Sequence, residues 1–183
     1  MGDTSKIGAG KPNISGAIYR AAVGATLPTD ATTTLDTTVF TELGYASEDG
    51  ITNSESTETS ETKAWGGDTV NSSQTAFTDK FKVKFLEALN ADVLSTVHGS
   101  DNVTGTLATG ITVAVNSADK TPYSWVVDMI INGANKRVVV PSAKVTEMSD
   151  VVYKSTEVVG YEVTLTATPD SAGNTHYEYI YKA

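Results

Sequence analysis

Residues 43–69 place the tightest constraint on what this chain can fold into. Gly44-Tyr45 leads into an acidic Asp49-Gly50 turn, a Ser/Thr/Glu run follows, and Trp65-Gly66-Gly67-Asp68 closes it abruptly. The run carries β-forming threonines but almost no apolar side chains, so it has no hydrophobic face of its own to bury. A polar extended segment over 46–63, held between Tyr45 and Trp65, is expected to be an arm that finds its partner on another molecule. A solvated loop is the plain alternative, since five acids (Glu48, Asp49, Glu55, Glu58, Glu61) face one base, Lys63.

The remaining sequence reads as β-structure. Strand-like alternation recurs in the stretches 14–23, 39–45, 75–85, 105–115, 123–131, 136–140, 144–147, 151–153 and 157–168. The clearest is 75–85, where Phe77, Phe81, Val83 and Phe85 fall on one face and Lys80, Lys82 and Lys84 on the other, with Asp79 the one break in the apolar side. Asn132-Gly133-Ala134-Asn135 predicts a hairpin turn, and 169–174 another turn. Residues 26–38 read as a surface loop. One short helix is expected at about 90–98, capped by Asn90, stapled through Leu89 and Leu94, and ended by Gly99. The tail 170–183 places Tyr177, Tyr179 and Tyr181 on one side, either as a last strand on its own domain or as an arm added to a neighbour's sheet. The fold class is therefore mainly β: a β-sandwich or partly open barrel with one short flanking helix and a long polar arm. It forms a single domain over 1–183, with 1–13 a flexible N-terminus.

Composition excludes several functions. No apolar run is long enough to span a bilayer, and the first residues lack the pattern of a secretory signal. Cysteine is absent, which removes disulfides and thiolate metal sites. A net charge of −9 lacks the basic footprint of a sequence-reading nucleic-acid binder. That charge keeps the protein soluble, and it equally suits a surface along which DNA passes without sticking.

Catalytic chemistry is missing too. No nucleophile elbow, phosphate loop or zinc-protease helix is present. His98 falls at the end of the expected helix, where the dipole favours a cation, and His176 reads as a strand-surface residue. Residues 170–174 lack calcium-loop spacing and read as a Gly-Asn turn. No catalytic residue, metal or cofactor is expected.

Gly44-Tyr45 with Glu48-Asp49-Gly50, and Lys63-Ala64-Trp65-Gly66-Gly67-Asp68, resemble signatures of phage major tail proteins (tail tube proteins) of long-tailed bacteriophages, above all those of Gram-positive hosts. Glu87-Ala88-Leu89-Asn90 with Val93-Leu94, Asp101-Asn102-Val103-Thr104-Gly105, residues 160–167, and Pro169-Asp170 with 173–179 fit the same ordered pattern. The resemblance implies a structural subunit of the virion tail, synthesised and assembled in the host cytoplasm, with no enzymatic activity and no membrane. It implies hexameric rings stacked helically into a hollow conduit for the tape measure protein and for DNA ejection, with tail terminator and distal tail proteins at the ends. With about four strands per subunit, some ~24 strands at ~4.8 Å spacing and ~40° tilt give a backbone diameter near ~48 Å, wide enough for duplex DNA. On that reading the arm residues Tyr45, Glu48, Asp49, Glu55, Glu58, Glu61, Lys63 and Trp65 reach a neighbouring subunit. Lys80, Lys82 and Lys84 are either plain surface or a ring contact with a neighbour's acids. The alternative function is a solitary β-sandwich binding or decoration module, Ig-like or adhesin-like, and a small hydrolase is remote.

Overall fold

A computed structural model describes residues 2–13 and 17–183. In chain order its strands and helix are β1 (Gly10–Pro12), β2 (Ile18–Ala22), β3 (Thr41–Glu42), β4 (Ala46–Lys63), β5 (Thr69–Phe85), α1 (Ala91–His98), β6 (Val103–Thr106), β7 (Gly110–Val113), β8 (Tyr123–Ile131), β9 (Ala134–Met148), β10 (Tyr161–Ala167) and β11 (Tyr177–Tyr181). The fold is mainly β, as expected. Nine strands make one antiparallel sheet along the path β3-β2-β8-β9-β10-β5-β4, with β1 added to β8 and β11 to β9. Among the described residues the path is open, with β3 at one end and β4 at the other, and does not close into a barrel. β6 and β7 form a separate two-stranded ribbon.

The hairpin β8–β9 is the spine of the sheet. Asn132 and Gly133, both at positive φ (47° and 76°), make its two-residue turn, a conformation that Asn-Gly adopts readily. β9 runs on through Pro141, where the sequence reading had two separate strands. Tyr123 and Trp125 pair with Ala143 and Val140, so β9 carries one extra residue in a bulge at Pro141-Ser142, a place where proline costs no ladder bond. Beyond the bulge β9 changes partner: Ala143–Met148 pairs with β10, while its first half pairs with β11.

Apolar side chains sit on both faces of this sheet. On one face Ile18, Trp125, Val127, Val138, Val140, Phe81, Val83, Phe85, Val163 and Leu165 are buried together with Val93, Leu94 and Val97 of α1. The β6–β7 ribbon adds Val103, Ile111 and Val113 at the margin of that core. On the other face Ala21, Val126 and Val139 pack with Leu27, Leu35 and Phe40 from the segment 23–40 and with Tyr177 and Tyr179. That threonine-rich segment is therefore a structured cover. Arg137 fixes it, holding Asp128 through Nε and Nη2 at 2.6 and 2.8 Å and donating from Nη1 to the carbonyls of Asp30 and Thr33.

Other expectations change in detail. α1 is capped as read, with Asn90 Oδ1 accepting from the Asp92 amide at 2.9 Å and Gly99 at φ 100°. Leu89 stays exposed while Leu94 is buried, so the expected staple leaves Leu89 uncovered. Residues 105–115 are not one strand: they turn at 107–109 between β6 and β7, and Val115 is exposed. Residues 151–153 are loop, and 39–45 shrinks to the two residues of β3. The N-terminal stretch expected to be flexible contains β1, paired with Met129–Ile131. The expected first strand, 14–23, begins at Ile18, and its residues 14–16 lie outside the described residues.

Candidate functional site

The polar segment 46–63 is one leg of a long β-hairpin whose other leg is β5. β5 pairs with β10 only through Lys80–Phe85, as β10 runs from Tyr161 to Thr166 in that ladder. From Glu55 and Asp79 outward, β4 and β5 have only each other among the described residues. At ~3.3 Å per residue this free part projects about 30 Å from the body. Every residue from 52 to 77 is exposed, including Phe77 of the expected apolar face. A five-residue turn closes the tip, with the Ala64 amide donating to Asp68 and Gly67 at φ 94°, and Trp65 stands there fully exposed.

A two-stranded hairpin with no buried face is marginal in water. Among the described residues, the outer edge of β4 and the inner edge of β5 from Thr69 to Asp79 find no strand partner. Isolated proteins blunt such edges with proline, lysine or brevity. Here β4 runs for 18 residues without proline and with a single lysine, Lys63. Open edges of this kind are templates on which another strand can pair.

The root of the hairpin is held firmly. Between Ala46 and Ile51 the ladder shifts, so Ser47-Glu48-Asp49-Gly50 bulge out with Gly50 at φ 68°, the acidic turn of the sequence reading. Gly44, also at φ 68°, lies against Glu87, whose Oε1 accepts from the Tyr45 amide at 3.0 Å and whose Oε2 accepts from Asn90 Nδ2 at 2.9 Å. One carboxylate thus links the arm to the helix cap, while the Tyr45 ring remains exposed.

The lysine row has acids of its own chain beside it. Lys80 Nζ lies 3.2 Å from Glu147 on β9, Lys82 Nζ lies 2.8 Å from Glu162 on β10, and Lys84 is the register partner of Glu162. Lys82 first, then Ser149, hold the Glu162 carboxyl below its ordinary range. The tyrosine stripe lies on its own domain: Tyr177, Tyr179 and Tyr181 pair with Val139, Arg137 and Asn135 of β9, and the Tyr177 and Tyr179 rings stack 6.3 Å apart.

His98 stands where the sequence placed it, and His176 does not. His98 does end α1, but it is buried edge-on against Tyr161. Burial and then the nearby Lys120 lower its pKa. His176 is half-buried just before β11: its Nδ1 lies 2.7 Å from Asp79 Oδ2, and its ring meets Phe81 edge-on. The one signal for that pair was Asp79 itself, a carboxylate on an otherwise apolar strand face.

An open apolar cleft of about 840 Å³ lies near the root, lined by Leu86, Leu89, Leu107, Tyr153 and Val158 among others. Four of these (Leu89, Leu107, Tyr153, Val158) are strongly exposed, a concentration that marks contact surfaces more often than bare ones.

A long hairpin with two open edges thus projects from a compact β body. The family model for phage tail tube proteins matches residues 12–183, and the chain belongs to that family. It is a structural, non-enzymatic component of the phage virion that assembles with itself into a tube. Among curated proteins none matches the sequence.

Proposed function

We propose that copies of this chain form hexameric rings that stack helically into a conduit for the tape measure protein and for DNA on its way into the host. The observation that carries the reading is the hairpin: about 30 Å of exposed, edge-open β-structure that a single chain leaves unpaired. Its edges and the opposite end of the sheet are unlike surfaces, so contact between them is head-to-tail, which gives rings or helical filaments. The arm residues Glu48, Asp49, Glu55, Glu58 and Glu61, with Trp65 at the tip, then meet a neighbouring subunit or the next ring. The net charge of −9 suits a bore that does not hold phosphate. Tail terminator and distal tail proteins would bound the tube, with assembly in the host cytoplasm. The family match gives no support to the solitary binding-module alternative.

Replacing residues 57–77 by Asn-Gly joins Ser56 to Thr78, which face each other in the ladder. The shortened protein should remain folded by circular dichroism. Negative-stain microscopy after concentration should show hollow tubes for the full chain and none for the shortened one. Tubes of normal diameter from the shortened protein would refute the role given to the hairpin.

A further inference from the structure

At the root of the hairpin, three segments far apart in sequence bring carboxylates and an imidazole together. Glu55 and Asp79 are direct register partners across β4 and β5. Like charges directly opposite each other destabilise a ladder. Asp79 is also 1% exposed, and a buried carboxylate needs charge compensation as well as hydrogen bonds. Asn53 Nδ2 donates to Asp79 Oδ1 at 2.6 Å and supplies no charge. Lys80, the next residue along β5, is turned to Glu147. The remaining neighbour is His176, with Nδ1 at 2.7 Å from Asp79 Oδ2 and its ring orientation set by Phe81 at 5.4 Å.

We propose that Glu55, Asp79 and His176 form a divalent-cation site, with zinc the ion that suits it, which ties the start of β11 to the base of the projecting hairpin. One ligand atom from each of the three lies within 4.8 Å of the others. Tetrahedral zinc with ligands at ~2.0–2.2 Å needs ligand atoms about 3.4 Å apart, so the ion would replace the 2.7 Å contact of His176 Nδ1 with Asp79 Oδ2, those two atoms moving apart while Glu55 moves in. One imidazole with two carboxylates is a borderline donor set, which suits zinc better than magnesium or calcium with their all-oxygen shells. The fourth position falls to water or to Asn53, whose amide presents oxygen when turned over. A cation here neutralises the opposed Glu55–Asp79 pair and compensates the buried charge. It also cross-links the three segments at the point where β4 and β5 leave the sheet, setting the direction in which the arm projects.

The test uses the full chain, stripped with a chelator and titrated with zinc chloride by calorimetry, with magnesium chloride as the comparison. One zinc per chain is expected, with a raised melting temperature and no comparable magnesium binding. Glu55 is exposed, so Glu55→Gln leaves folding intact and should weaken zinc binding at least about tenfold. His176→Gln should do the same, with circular dichroism to confirm its fold. No saturable zinc binding by the native chain overturns the proposal, as does zinc binding that Glu55→Gln leaves unchanged.

Discussion

Replacing Gly44 by alanine should disconnect the arm from the helix cap, at a cost that the structure sets. Gly44 has φ 68°, where a side chain costs about 1–2 kcal/mol. A Cβ there would collide with the Glu87 carboxylate, so the carboxylate must leave. Its bonds to the Tyr45 amide and to Asn90 Nδ2 go with it, at about 1 kcal/mol each for a half-buried acceptor. Gly44→Ala should therefore destabilise by roughly 3–4 kcal/mol, and Glu87→Ala by about 2. The two effects share one set of bonds, so the double mutant should lose only about 3–4 kcal/mol, some ~2 less than the sum. Urea unfolding at low concentration, followed by the emission of buried Trp125 in a Trp65→Phe background, measures all four proteins. Strict additivity would show that Glu87 does not link the two elements.

Three further outcomes follow from the contacts of single side chains. Because Lys80 and Lys82 have acid partners on their own sheet, Lys80→Glu with Lys82→Glu should cost no more than about 1 kcal/mol each and leave tube formation intact; a folded protein that forms no tubes would put the row at a ring contact. Arg137→Met strands the Asp128 carboxylate and frees the 23–40 cover, so it should destabilise by about 3–5 kcal/mol in the same urea assay, and a loss under about 1 would refute the clamp. The Thr33 side chain and then its amide hold the Asp30 carboxyl far below the ordinary range, and Thr38 and Tyr177 likewise lower Asp36 and Asp170. Lowered folded-state values mean that this stabilisation is complete above about pH 4 and is lost as pH falls through the folded pKa values. Carboxyl resonances followed by NMR should show Asp30 titrating last among the three, and an ordinary midpoint for Asp30 would contradict its turn geometry.

Much of the body was legible because periodicity and local chemistry agree there. Phe81, Val83 and Phe85 alternate on a buried face, Asn90 and Gly99 bracket α1, and Asn132-Gly133 makes its turn. The pairing of β4 with β5 was not legible, since a hairpin polar on both faces leaves no hydrophobic pattern to set register. Residues 151–153 alternate like a strand yet find no ladder, and Pro141 looked like a break where it marks a bulge. The cluster around Asp79 was hidden by distance, because His176 lies 97 residues away and reaches it only after the chain has crossed the sheet.

Hydrogen exchange along residues 55–79, compared between dilute monomer and assembled tubes, tests most directly whether another copy completes the hairpin. Amides on the open edges of β4 and β5 should exchange freely in the monomer and at least about a hundredfold more slowly in tubes, as expected when unpaired edge groups gain partners. Equal exchange in the two states would mean that the arm stays in solvent after assembly, and would contradict the account.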